Sequence, residues 1–202
     1  MTTMRLTAVL ALTLAAFAAV GCTGFSSKRV NPSADDDVGG TGIDSADVIA
    51  FTDKAAPALA TALLASPKND IVVAFPPIKN ETIQPMNTAI FSDRLRGALV
   101  RACGARVRFL AREQMDEIMK EREAKEKGVY SPTEKKALLG ADYFLTGRFT
   151  SLSKRADGDR ADYFLLTLDL VDASSSVVSW TDNYQFKKVG DAGVIYQYGA
   201  VS

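Results

Sequence analysis

Ser151-Leu152-Ser153-Lys154 places a serine three residues before a lysine. In that spacing on a helix an amine can take the proton of a hydroxyl that attacks an acyl group. Thr181-Asp182-Asn183 and Lys188-Val189-Gly190 follow in the order of the S-D-N and K-T-G boxes that complete a serine acyl-transfer site. Thr181 and Val189 depart from those boxes. The first serine should open a buried helix, whereas period-2 patterning puts Ser151 near the end of a strand, before a hairpin. The remaining chain is also too short for the second, helical domain such enzymes carry. The three boxes are read as coincidence.

Other chemistries fail on similar grounds. There is no histidine among the 202 residues, which removes the commonest general base and the commonest metal ligand. Gly39-Gly40-Thr41-Gly42 lacks the preceding strand and the following Gly-Lys-Ser/Thr of a phosphate cradle. Asp35-Asp36-Asp37 sits in a glycine-rich stretch without the rigid geometry a cation site needs. Arg101, Arg106, Arg108 and Arg112 form a basic cluster, read first as surface charge and second as a face for an acidic partner. With 24 basic and 24 acidic residues there is no bulk pull toward nucleic acid. The reading is of a protein without catalytic residues, metal or cofactor, acting by binding.

The N-terminus predicts how it is held. Arg5 is followed by an apolar run over residues 6–19 and then Ala19-Val20-Gly21-Cys22. This layout is an export signal, and the last four residues resemble a bacterial lipobox. Residues 1–21 are expected to be removed and Cys22 acylated, which would hold the protein on a membrane. By resemblance to the sorting rule of enteric bacteria, Thr23 in place of aspartate favours the outer membrane, facing the periplasm. Acylation of Cys22 would leave Cys103 without an intramolecular partner, as a small buried hydrophobe.

Residues 22–43 are rich in Ser, Asp, Gly and Pro and read as a flexible tether, with a single α/β domain over residues 44–202. Helical spacing predicts a helix to about residue 65, which Pro57 should kink or divide. A buried strand over 71–75, a loop over 78–85 and a helix over 88–103 stopped by Gly104 follow. Next come a strand over 107–110 and a helix over 112–127 with Met115, Ile118 and Met119 as its buried stripe. Ser131-Pro132-Thr133-Glu134 reads as a capping box opening a short helix to Gly140. Three strands over 143–152, 163–171 and 177–186 close the domain, joined by hairpins, the first around Asp157-Gly158. The order α-β-α-β-α-α-β-β-β implies one mixed sheet with flanking helices.

Several segments in this order carry a family resemblance: Val30-Asn31-Pro32 leading into Asp37-Val38-Gly39-Gly40, then Pro77-Ile78-Lys79-Asn80-Glu81-Thr82. Phe91-Ser92-Asp93-Arg94-Leu95-Arg96-Gly97-Ala98-Leu99, Val107-Arg108-Phe109-Leu110, Gly140-Ala141-Asp142-Tyr143-Phe144-Leu145-Thr146-Gly147 and Leu168-Asp169-Leu170-Val171-Asp172 continue it. From about Val30 to Val189 the chain resembles the LpoB family of outer-membrane lipoproteins. The resemblance implies a fold like the N-terminal domain of TolB, related to CsgG. It implies binding to a class A penicillin-binding protein and activation of its peptidoglycan synthesis. The alternative is a lipoprotein binding another envelope or secretion component, without catalysis. The expected contact residues are Lys79, Asn80, Glu81 and Thr82, after a buried strand, with Arg106 and Arg108 adding charge complementarity.

Overall fold

The structure, a computed structural model, describes residues 28–34, 40–131 and 136–193. The expected signal segment, Cys22, Asp35-Asp36-Asp37 and Pro132-Thr133-Glu134 lie outside them. The chain divides into two units, Met1–Asn31 and Pro32–Ser202. Of the first, residues 28–31 are described, as exposed chain without regular structure. No described helix is long and apolar enough to cross a membrane.

Helix α1, Ser45–Leu64, starts on a reciprocal cap. Asp44 Oδ1 accepts from Asp47 N at 2.9 Å, and Asp47 Oδ2 accepts from Asp44 N at 3.0 Å, satisfying two otherwise orphaned donors. The helix runs unbroken through Pro57, so the expected division does not occur. Pro57 lies on the exposed side, where the carbonyl it leaves without an N–H partner can face water. The opposite side buries Val48, Phe51, Ala55, Leu59 and Leu63 at three- and four-residue intervals. Helix α2, Ala89–Cys103, buries Phe91, Leu95, Leu99 and Cys103 in the same way and ends at Gly104, whose φ of 56° suits a residue without Cβ.

Both helices pack on one face of the sheet. Its strands are β1 Ile71–Ala74, β2 Lys79–Asn80, β3 Val107–Leu110, β4 Tyr143–Ala156, β5 Asp159–Asp172 and β6 Val178–Asp191. Their order is β3-β1-β4-β5-β6, with β2 beside β1 on the same edge of β4. β1 is parallel to β3 and β4; β4, β5 and β6 form an antiparallel meander. Central β1 is buried on both faces, as its unbroken apolar run requires. Along β5 every second residue from Arg160 to Leu170 is buried, so one face of the meander meets the helices and the other stays open. Phe51, Phe91, Phe149 and Tyr184 knit α1, α2, β4 and β6 together at centroid distances of 4.7 to 6.0 Å.

The fold class is the expected one, a mixed sheet with flanking helices; besides the undivided α1, the strand β2 within the segment expected as a loop and the longer meander strands, three features differ from expectation. Residues 136–140, expected to end a helix, have no regular structure. Helix α3, Met115–Glu126, has no buried residue: Met119 is 50% exposed and Met115 and Ile118 are half-buried, so this stripe is not core. The helix surface carries Glu121–Lys125 and Glu123–Lys127 ion pairs at 3.1 and 2.6 Å, each adding on the order of a few tenths of a kcal/mol, and Arg122 Nη2 donates to Lys136 O at 2.6 Å. Third, packing begins before residue 44. Thr41 is 1% exposed, so the last residues of the expected tether belong to the folded unit.

Candidate functional site

The segment after β1 is built to present a few side chains rigidly. Pro76 and Pro77 follow the strand without donating to the sheet, and Ile78 returns to the core. Ile78 fits against β4 because Gly147 leaves it room: a Cβ there would sit 3.1 Å from Ile78 Cγ1. Lys79 and Asn80 pair with Arg148 and Phe149 as β2, and Glu81 N extends the ladder to Phe149 O at 2.8 Å. The chain then turns on its own side chains. Asn80 Oδ1 accepts from Thr82 N at 3.0 Å and Asn80 Nδ2 donates to Gln84 O at 2.9 Å. The Thr82 hydroxyl lies 2.7 Å from Asn80 Oδ1 and accepts from Gln84 N at 3.2 Å. Lys79, Asn80 and Glu81 are exposed, Thr82 is half-buried, and Ile83 stands out at 68% exposure. Sequence reasoning left Ile83 unassigned. Its signal was an isoleucine in a loop with no periodic partner.

Gln84 turns inward and meets a charge. Its Nε2 donates to Asp162 Oδ2 at 2.6 Å, and both residues are buried. Thr41 Oγ1 donates to the same oxygen at 2.5 Å. Arg160 Nε stands 2.7 Å from it, off the axis of a good hydrogen bond. Arg160 and Asp162 continue the inward-facing row of β5 beyond Phe164, so the apolar core ends in an ion pair. Burial pushes the Asp162 carboxyl up, but hydrogen bonds from Ser153 and Thr41 and the Arg160 charge outweigh it, leaving the group below the ordinary carboxylate range.

A second polar cluster fixes the chain on either side of Thr41. Lys188 of β6 reaches Asp44 Oδ2 at 2.7 Å, Asp47 Oδ2 at 2.5 Å and Gly42 O at 3.1 Å. Burial disfavours the Lys188 charge, yet the two carboxylates hold its pKa above the ordinary lysine value. Burial raises Asp47, while Lys188 and the capping N–H groups carry Asp44 below its usual value. A Cβ on Gly190 would sit 2.9 Å from Gly40 O, so the absence of a side chain there lets residues 40–44 lie flat on β6. We refer to residues 40–44 as the strap.

The other candidate residues lie elsewhere. Arg106 Nη2 donates to Ser66 O and Lys68 O at 3.3 Å each, tying the α1–β1 turn, and Arg108 is paired with Asp70. Both stand near the start of the β1–β3 pair, whereas residues 79–82 lie past its end. Six residues of β4 separate Tyr143, the partner of Val73, from Phe149, the partner of Asn80, about 20 Å at ~3.3 Å per residue. The arginines and the loop are therefore not one surface. Ser151 and Lys154 both lie on β4, three apart, so they point to opposite faces and the serine has no base in reach. Lys188 and Gly190 of the third box hold the strap instead. Among the described residues no acidic or cysteine cluster could hold a metal ion.

Comparison with known proteins adds three observations. A search of curated proteins finds no significant match. Among solved structures, the LpoB C-terminal domain from Escherichia coli is similar at 16% identity and a TM-score of 0.43, covering 67% of this chain and 97% of that one. The corresponding domain from Salmonella enterica has the same identity and coverages and a TM-score of 0.41. The family model for the peptidoglycan-synthase activator LpoB matches residues 51–186, from the first turns of α1 nearly to the end of β6. The chain belongs to the LpoB family of peptidoglycan-synthase activators.

Proposed function

We propose that this protein is an outer-membrane lipoprotein, anchored through Cys22, that binds a class A penicillin-binding protein and activates it without chemistry of its own. The observation that carries the reading is the family match over residues 51–186. The Ala19–Cys22 segment after an apolar run supports the anchor. Activation here is differential binding: the activator shifts the synthase toward its active conformation by the free energy with which it prefers that state. We place the contact on residues 79–83. This loop is locked by its own hydrogen bonds, so binding costs little ordering entropy, and it offers a charge pair, Lys79 and Glu81, beside an apolar knob, Ile83. Arg106 and Arg108 are set apart from this surface by their own partners.

Glycan-polymerisation assays with the cognate synthase test the function. Saturating activator should raise the rate severalfold, and Ile83→Asp should raise the concentration needed. No rate change at saturation would refute the activator reading and leave a lipoprotein that binds another envelope component.

A further inference from the structure

The strap and the proposed contact loop come from distant parts of the sequence, yet both end on one atom. Thr41 and Gln84 each donate to Asp162 Oδ2, at 2.5 and 2.6 Å. Thr41, Gln84 and Asp162 are 1%, 5% and 0% exposed. The strap is held over this atom by Lys188, through Gly42 O, Asp44 and Asp47, and by the close approach of Gly40 to Gly190. The loop reaches it only through the Gln84 side chain, while residues 79–81 are held separately by β4.

We propose that Thr41 and Asp162 are positioning residues for the contact loop, so that docking of the strap fixes the conformation in which residues 82–84 are presented. This rests on the loop being the contact surface. The sign of the coupling follows from burial. A hydrogen bond to a carboxylate is strongest where water is excluded, and the strap excludes it. With the strap lifted, Asp162 gains water as a competing partner, and the Gln84 amide can exchange its acceptor for solvent. Coupling of this kind is reciprocal: breaking the Gln84 contact must weaken the Thr41 contact by the same factor as breaking the Thr41 contact weakens that of Gln84. Because the strap follows closely on the N-terminal segment that the proposed function reads as a membrane tether, a pull on that segment that lifts the strap also disorders the contact loop.

Hydrogen exchange on the full-length protein tests this without any partner. Thr41→Val removes the donor at constant shape, and Gly190→Val pushes the strap off without touching Asp162. Each should speed amide exchange over residues 82–87 by about ten- to a hundredfold, the range expected for one lost hydrogen bond to a charged group. Exchange in β1 should stay unchanged. Thr41→Ser should restore the slow rate, and Gln84→Leu should speed exchange over residues 41–44. Faster exchange in the strap with an unchanged loop would overturn the proposal, as would an unchanged strap in Thr41→Val. If Gly190→Val does not fold, Thr41→Val and Gln84→Leu carry the test. Affinity for the synthase is read separately. A loss in Thr41→Val that Thr41→Ser restores supports positioning. Coupled exchange with unchanged affinity upholds the coupling and overturns the loop as the contact surface.

Discussion

At the scale of single residues, the domain's polar interior is concentrated on Asp162. A buried ion pair adds little against an apolar replacement, but losing one partner strands the other. Asp162→Asn leaves Arg160 buried without a carboxylate and should cost about 3 kcal/mol in denaturant unfolding. The pH dependence carries the same signature. Asp162 titrates below its ordinary value of 3.8 in the folded state, so its contribution is complete above that value and is lost as pH falls through the folded pKa. Stability should fall as pH drops below about 4, and less steeply in Asp162→Asn; equal slopes in the two proteins would contradict this. Cys103 was legible, because its place one turn past Leu99 and before Gly104 puts it on the apolar side of a helix. It is 6% exposed, and burial pushes its thiol up, so Cys103→Ser should cost about 1–2 kcal/mol and the native thiol should label slowly. Asp162 was not legible. Its partner Thr41 lies 121 residues away, and a charge just before an apolar strand reads locally as part of the hairpin turn.

At the scale of elements, periodicity located helices and strands well, because burial on one side imposes it directly. The meander ran longer than expected at its outer end. Residues 152–156 are exposed and carry no apolar alternation, and register alone keeps them paired. Asp157 and Gly158, both at positive φ, set that register with a two-residue turn. Gly158→Val should therefore cost about 1–2 kcal/mol by forcing a branched residue into a left-handed conformation. Helix α3 shows the opposite failure. Met115, Ile118 and Met119 have core-like spacing, but no sheet face lies over them, and periodicity cannot say whether a partner surface exists. Truncations separate the two cases. Leu99→Ala in α2 should cost 2–5 kcal/mol, roughly the range for a fully buried leucine, and Ile118→Ala in α3 should cost less than about 1 kcal/mol. Urea denaturation measures both, and a large loss at Ile118 would mean α3 is docked more tightly than its exposure indicates.

At the scale of the whole molecule, the question is reach. Pro32 already belongs to the folded unit, where Ser45 Oγ donates to its carbonyl at 2.8 Å, so the stretch that the proposed function reads as a tether is residues 22–31, shorter than composition alone suggests. Fully extended, it spans on the order of 35 Å. In the proposed function, a synthase in the inner membrane must project far outward to meet a contact loop held within that distance of the outer membrane. Affinity cannot compensate for a linker that fails to span, since the effective concentration of the two partners then falls toward zero. Lifting the strap together with the Pro32 contact would lengthen the span, but at the cost of the order that Thr41 and Gln84 confer on the loop. In the proposed function, reach and presentation therefore trade against each other. A flexible insertion of about 20 Gly and Ser residues between Cys22 and residue 31 separates them, because it extends the span while the strap stays docked. Synthase activation in cells, measured as incorporation of labelled cell-wall precursor, should hold or rise with the insertion. The same insertion should also restore activity to a Gly190→Val protein only in part, since length is supplied and loop order is not. A fall in activation by the lengthened protein, at equal abundance and membrane attachment, would show that the domain is held close to the membrane for its function and that reach is not what limits it.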